Sequence, residues 1–436
     1  MLEKKEYTQF GETIYSEELD NGLKVKLLSK KSFHKVYGIM STNYGSADNE
    51  FVPYGKKDMK VYPAGIAHFL EHKLFEKKDY DAFELFGKYG ADSNAFTSFT
   101  RTSYLFSATQ NIEKCVEILL DFVQEPYFSE ESVKKEQGII GQEIKMYDDD
   151  DSGWQLYFGL IENLYPNTPI SQDIAGTIES ISKITAQDLY DCYNTFYQPS
   201  NMTLFLVGNF DETAMISLIK KNQAKKTFSK TEKIVRAPFS KGDEDKIIIS
   251  SRTRKMDLQL PKVAIGIKGL GKQLRGYEAI GYKLKVQLLL DILFGESSKE
   301  YLQWYNENII DDSFGYDFQF ERGFNFAMIS GSTSKPEEFK KKIEDLIVQA
   351  PDLLEDRAEE FELSKKEFLG SIIRSMNSLE SIANRYEGRL YDDATIFDMV
   401  EILEKITLED VVKTAEEFLN QDAISIYELL PESRWK

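Results

Sequence analysis

A chain of 436 residues with 73 acidic against 54 basic side chains carries a formal charge of −19. Nucleic acids and anionic membranes are bound through basic surface, so this balance argues against both as partners. The length exceeds what one compact core holds and predicts two or more domains, with 13% aromatic residues to fill them.

The first residues, MLEKKEYTQF, contain no apolar signal core, and no apolar run reaches bilayer length. Cys115 lies in an apolar helical run, CVEILLDF, and Cys192 is its only possible mate. Both read as buried free thiols, which fits a reducing compartment, and the expected location is cytoplasmic.

In chain order, Asp20-Asn21-Gly22 marks a tight turn before an alternating strand, Leu23–Leu28. Val36–Tyr44 reads as a more buried strand, and Glu50–Tyr62 as a polar loop ending at Pro63. A helix is expected directly after that proline, where proline is tolerated. Its sequence, AGIAHFLEHKLFE (Ala64–Glu76), places two of the chain's three histidines at His68 and His72. Residues four apart share a helix face, so both imidazoles can address one point, and Glu71 projects close to it. Two neutral imidazoles suit zinc, and a neighbouring carboxylate can take a proton from a metal-bound water.

Further on, Ala82–Tyr89 reads as a short helix and Ala91–Thr109 as two antiparallel strands. Asn111–Phe122 is amphipathic. Ser129 is a plausible cap for a long helix through Tyr147, on which Glu136 and Glu143, seven apart, share a face. The Asp148–Asp151 run reads as a solvated helix end, since unspaced aspartates cannot all face one ion. Trp154–Leu164 and Ala186–Phe196 look helical, and Met202–Val207 is an apolar strand. A Lys-, Ser- and Thr-rich tract from about Asn222 to Asp245 is the best linker candidate, dividing the chain into 1–225, a linker at 226–244, and 245–436.

The order of elements then returns. Val263–Lys268 echoes Val36–Ser41, Tyr282–Phe294 takes the place of the His-bearing helix, and Gly323–Gly331 resembles Thr102–Thr109. Phe339–Val348 resembles Asn111–Phe122, Lys365–Asn377 resembles Lys134–Lys145, and Ala423–Leu430 echoes Met202–Asn209. Aligning Leu293-Phe294 on Leu74-Phe75 puts Gln287 and Asp291 where the first half has His68 and His72. Glu367 falls on Glu136, and Arg374 on Glu143. The expected fold is α+β: two homologous halves, each a mostly antiparallel sheet with helices packed on one face, and a metal site in the first half alone.

H68-F-L-E71-H72, the helix bearing E136-Q-G-I-I-G-Q-E143, the N94-A95 strand and the doubled architecture together resemble the pitrilysin/insulysin zinc peptidases, the inverzincins, over essentially the whole chain. The resemblance implies one Zn²⁺ per chain held by His68, His72 and Glu143, with Glu71 as general base and Glu136 orienting a ligand histidine. It also implies a peptide substrate added as a strand along Asn94–Ser98, with Asn94 and Ala95 nearest the scissile bond. For Phe96 and Phe99 the expected role is packing.

One departure stands out. Active relatives supply an Arg and a Tyr from the second half, whereas Lys299–Tyr316, KEYLQWYNENIIDDSFGY, contains no arginine. Tyr305 or Asn306 stands at the Arg place, Asp311-Asp312 lies near the Tyr place, and Tyr316 is a less well-placed substitute. The chain therefore resembles the zinc-bearing member of paired bacterial proteins, whose homologous partner subunit supplies the Arg/Tyr pair. The expected function is a zinc endopeptidase cutting short unfolded peptides or peptide precursors in a chamber between two chains. The alternative is a non-catalytic scaffold subunit.

Overall fold

The structure, a computed structural model, describes residues 2–150, 152–239, 247–269, 274–385, 390–392 and 394–432. The first half opens with strands Glu3–Tyr7 (β1), Glu12–Glu18 (β2), Lys24–Ser29 (β3) and Val36–Thr42 (β4). Two short strands, Glu50–Phe51 (β5) and Lys60–Val61 (β6), pair within the segment expected to be a loop. Helices Ile66–Phe75 (α1) and Ala82–Lys88 (α2) precede the hairpin Asp92–Thr97 (β7) and Thr102–Ala108 (β8). Then come Ile112–Val123 (α3), Glu130–Asp150 (α4), Ser152–Leu164 (α5), Ile178–Ile181 (α6) and Ala186–Phe196 (α7), before Met202–Gly208 (β9) and Glu212–Gln223 (α8). Of the four-aspartate run, Asp151 lies outside the described residues.

The second half contains Ser251–Met256 (β10), Lys262–Lys268 (β11), Gly276–Phe294 (α9), Lys299–Asn306 (α10), Gly315–Glu321 (β12) and Phe324–Ser332 (β13). It continues with Pro336–Leu354 (α11), Ala358–Ser375 (α12), Leu379–Asn384 (α13), Ile396–Lys405 (α14), Leu408–Phe418 (α15) and Ile424–Pro431 (β14). No helix among the described residues is long and apolar enough to cross a membrane.

The repeat is explicit in the strand order. The first sheet runs β1-β2-β3-β9-β4-β8-β7 and the second β10-β14-β11-β13-β12. The last five strands of the first sheet match the second strand for strand, including one parallel pair in each, β3 with β9 and β10 with β14. All other ladders within the two sheets are antiparallel. Alternation along β4 and β9 sends Met40, Leu204 and Leu206 to a core shared with α1, α3 and α7. The opposite face, with Tyr37, Ile39, Phe205 and Val207, joins the core of the second half.

Each sheet thus has its own helices on one face and a helix from the other half on the other. The first half's α5 lies across β11 and β14. A Cβ on Gly159 would fall 2.2 Å from the Tyr427 ring, so only glycine permits this approach. Asn163 donates to the Ile426 carbonyl at 3.1 Å and the Tyr165 hydroxyl to the Asn325 carbonyl at 2.6 Å. In return α13 packs on β4 and β9, where Asn384 bonds the Tyr37 hydroxyl at 3.1 Å.

The tract expected to begin at Asn222 starts as helix, since α8 runs to Gln223. Beyond it, part of the expected linker is pinned to the first half: Val52 N–H donates to the Val235 carbonyl at 3.0 Å and Ala237 N–H to the Glu50 carbonyl at 2.9 Å. Residues 240–246 of the tract lie outside the described residues. A buried carboxylate, Asp48, joins the pieces: it meets Arg236 Nε at 3.1 Å and Arg322 Nη2 of the second half at 2.7 Å, its side chain fully buried.

Candidate metal centre

Pro63 and Gly65 set the start of α1. Gly65 has φ of 87°, and a Cβ there would lie 2.3 Å from the Ala175 carbonyl oxygen, so the turn requires glycine. Phe69, Leu70 and Leu74, fully buried, fix the inner face of α1 against the sheet. His68 and His72 then face α4, whose Glu136, Ile140 and Glu143 recur at helical spacing, with Ile140 buried between the two carboxylates in sequence.

Among the described residues, His68, His72 and Glu143 form the group whose ligand atoms all lie within 4.8 Å of one another. His68 Nε2 is 3.7 Å from Glu143 Oε1, and His72 Nε2 is 3.8 Å from Glu143 Oε2. These separations are too long for hydrogen bonds. Donors placed tetrahedrally around a zinc ion at 2.0–2.2 Å would stand about 3.4 Å apart, close to what is seen. His72 Nδ1 lies 3.2 Å from Glu136 Oε1, which assigns its proton to that nitrogen and leaves the Nε2 lone pair facing Glu143. Burial, with the His72 charge adding to it, pushes His68 down to about 3, so its imidazole is neutral. Burial would lower His72 too, but the Glu136 hydrogen bond and the neighbouring carboxylates raise it. Two ring nitrogens and a carboxylate converging at these distances are a donor set for a divalent cation, and the residues fit a zinc ion.

Glu71, 6% exposed, stands beside this group, and its Oε2 accepts a 2.6 Å hydrogen bond from the Thr97 hydroxyl. Burial raises its carboxyl to about 7, against the opposing pull of Thr97 and His72. Thr97 was not among the residues singled out from sequence. Its only signal is strand alternation, which puts it on the same face as Ala95.

Asn94 and Ala95 lie on β7, the outermost strand of the sheet, whose second edge pairs with no strand among the described residues. Asn94 is exposed, and its side-chain oxygen accepts the Ala95 N–H at 2.8 Å. Phe99 packs edge-on against Phe324 across the halves, while Arg101 lies over the Phe96 ring, 4.8 Å from its centre. In the second half, Asp291 accepts a hydrogen bond from the Tyr316 hydroxyl, and the Tyr305 hydroxyl bonds Asp312 at 3.0 Å. Both tyrosines suggested as substitutes are thus engaged within their own half.

A pair of helix-borne imidazoles, a carboxylate distant in sequence and a buried glutamate beside them make up a candidate metal centre. The chain belongs to the M16 peptidase family: it matches the insulinase (peptidase family M16) description over residues 51–178 and the peptidase M16 inactive domain over 183–370. It is 47% identical over 433 residues to the uncharacterized zinc protease YmfH of Bacillus subtilis (strain 168), covering 99% of this chain and 100% of that protein. The crystal structure of an M16-like peptidase from Alicyclobacillus acidocaldarius superposes with a TM-score of 0.89 at 32% identity, covering 99% of each chain. A protease from Helicobacter pylori shares the fold, with a TM-score of 0.81 at 20% identity over 96% of this chain and 99% of that one. The segment described as inactive begins after α4, so it excludes every residue of the His68–His72–Glu143 group.

Removing the Glu136 carboxylate as Glu136→Gln should weaken metal affinity about 10- to 100-fold, because the His72 tautomer is no longer fixed. Competition with a chromogenic zinc chelator checks this; unchanged affinity would remove Glu136 from the site.

Proposed function

We propose that this chain is a zinc-dependent endopeptidase that hydrolyses short unfolded peptides or peptide precursors inside a chamber. In this reading it is the metal-bearing subunit of a heterodimer, with a homologous partner subunit supplying an Arg/Tyr pair. The observation that carries the proposal is the convergence of His68, His72 and Glu143 beside the buried Glu71. The split between subunits rests on Lys299–Tyr316, which holds no arginine and whose tyrosines 305 and 316 are bound to Asp312 and Asp291.

A zinc ion held by His68, His72 and Glu143 would polarise the scissile carbonyl and acidify a water. Glu71 takes the proton of the attacking water at its carboxylate and delivers it to the leaving amine; a carboxyl titrating near 7 is suited to both transfers. Thr97 holds that carboxylate in place, and Glu136 holds the His72 ring. The open edge of β7 offers main-chain groups along Asn94–Ser98 to an extended peptide, which gives affinity with little demand on sequence. Buried free thiols at Cys115 and Cys192 support the cytoplasm as the proposed compartment.

The test is hydrolysis of a quenched fluorescent peptide library by the purified chain, alone and with its homologous partner, with and without chelator. Chelator-sensitive cleavage that requires the partner is the expected result. Full activity of the isolated monomer would refute the split site. Zinc binding without cleavage in any combination would favour the scaffold reading.

A further inference from the structure

Helix α3 carries Lys114, Ile118 and Asp121 on one face at helical spacing, and Glu125 follows just past its end. That face is the floor of a groove of ≈ 560 Å³, with α2 and α8 packed on either side of α3. One wall is Tyr80, in the loop between α1 and α2, with Leu85 and Tyr89 at the end of α2. The other is Phe228, just beyond α8. None of these residues belongs to the metal centre.

Both lysines that line the groove are already neutralised. Lys226 Nζ meets Asp121 at 2.8 Å and donates to the Gln124 side chain at 2.7 Å, and Lys114 is turned to Glu117 at 3.1 Å. Glu125 is not neutralised: it accepts the Tyr80 hydroxyl at 3.3 Å and makes no ion pair among the described residues. Lys77 lies within electrostatic reach of it, but burial pushes that amine down to about 7, and its Nζ has no hydrogen-bond partner among the described residues. Above that pH Lys77 leaves the Glu125 charge standing. The three rings are equally uncommitted. Tyr80, Tyr89 and Phe228 are half-buried, and among the described residues none stacks on another ring or lies under a cation. By contrast Phe83, also on α2, stacks on Phe75 with ring centres 3.9 Å apart.

We propose that this groove binds a small organic cation, its ammonium group held by Glu125 and the rings of Tyr80, Tyr89 and Phe228. The face of an aromatic ring is the negative pole of its quadrupole and attracts a cation, and a carboxylate beside it adds a full charge. Leu85 and the buried Ile118 offer apolar surface to the carbon skeleton of such a ligand, and the volume lies within the range of small-ligand sites. A bare metal ion is the poorer occupant, because among the described residues His68, His72 and Glu143 are the group of metal-type ligands that converges. An anion would meet lysines that carboxylates already hold. The site stands apart from the peptidase reading and does not rest on it.

The experiment is calorimetric titration of the full chain, at mildly alkaline pH, with choline, with its uncharged tert-butyl isostere, and with spermidine. Wild type is compared with Glu125→Gln, Tyr89→Leu and Phe228→Leu, and with Glu401→Gln on α14 as control. At least one of the two cations is expected to bind once per chain, with affinity falling about fivefold or more in each groove variant and unchanged in the control. Binding of choline alone assigns the groove to quaternary ammonium groups, and binding of spermidine alone to primary ones; either supports the proposal. Glu125 is exposed, so its replacement by Gln disturbs no packing, and thermal unfolding of the two leucine variants separates lost binding from lost fold. Choline bound no better than its isostere, where spermidine does not bind, overturns the proposal. So does absence of binding by both cations at millimolar concentration, or binding undiminished in all three variants.

Discussion

Replacing Glu71 by Gln is expected to lower kcat roughly a thousandfold while leaving one zinc ion per chain. The amide keeps the shape of the side chain and can still meet the Thr97 hydroxyl, but it cannot take up a proton at the attacking water. Glu71 is not among the converging ligand atoms, so metal content should not move. Two measurements on one preparation decide the matter: zinc released on denaturation, and turnover of a quenched peptide by the chain together with its proposed partner. Retained hydrolysis would dismiss Glu71 as the base. Loss of zinc together with activity would recast it as a residue that shapes the metal site.

The second large effect concerns stability. Asp48→Asn should destabilise the chain by about 3 kcal/mol or more, because two guanidiniums, from Arg236 and Arg322, lose the buried charge that both face. Asp48 also accepts the Gly45 N–H at 3.2 Å and holds its own turn, so the substituted amide disturbs three pieces of chain at once. Urea unfolding followed by circular dichroism measures the loss directly. A midpoint unchanged from wild type would show that this ion cluster does not hold the halves together. The same variant should retain its zinc, since none of the metal ligands touches Asp48.

Much of the site is legible in the sequence because α-helical spacing converts directly into geometry. His68, Glu71 and His72 fall within one helix turn, and the two imidazoles meet with ring centres 4.5 Å apart. Glu143 is different: it stands on another helix, and spacing along the chain says nothing of distance across helices. Only the family resemblance connected it to the histidines. The repeat was likewise visible as a returning order of elements, since buried strands such as Val263–Lys268 repeat the composition of Val36–Ser41.

What could not be read is which surface each element covers. The apolar stripe of α5 predicts a helix with a buried face but not that the face lies on the other half's sheet. The signal was Gly159, whose missing side chain admits the Tyr427 ring, and a lone glycine in a helix has many explanations. The hairpin β1–β2 was missed because EKKEY has few strand-forming residues; pairing with β2, and the reach of Lys5 and Tyr7 to Asp398 at 2.9 and 2.8 Å, hold it in place.

The reciprocal placement of α5 and α13, with the N-terminal strand clasped to Asp398, has a mechanical consequence. Each half lends a piece of itself to its neighbour, so neither can swing away without baring the apolar underside of a sheet. A single chain therefore behaves as one body rather than as a pair of jaws, and in the proposed heterodimer it would form one side of the chamber. In the proposed heterodimer, the seam that opens to admit a peptide beside Glu71 would then run between two chains. Locking two subunits together by a cross-link across that seam should then stop entry, whereas a cross-link between α5 and β14 should leave it unaffected.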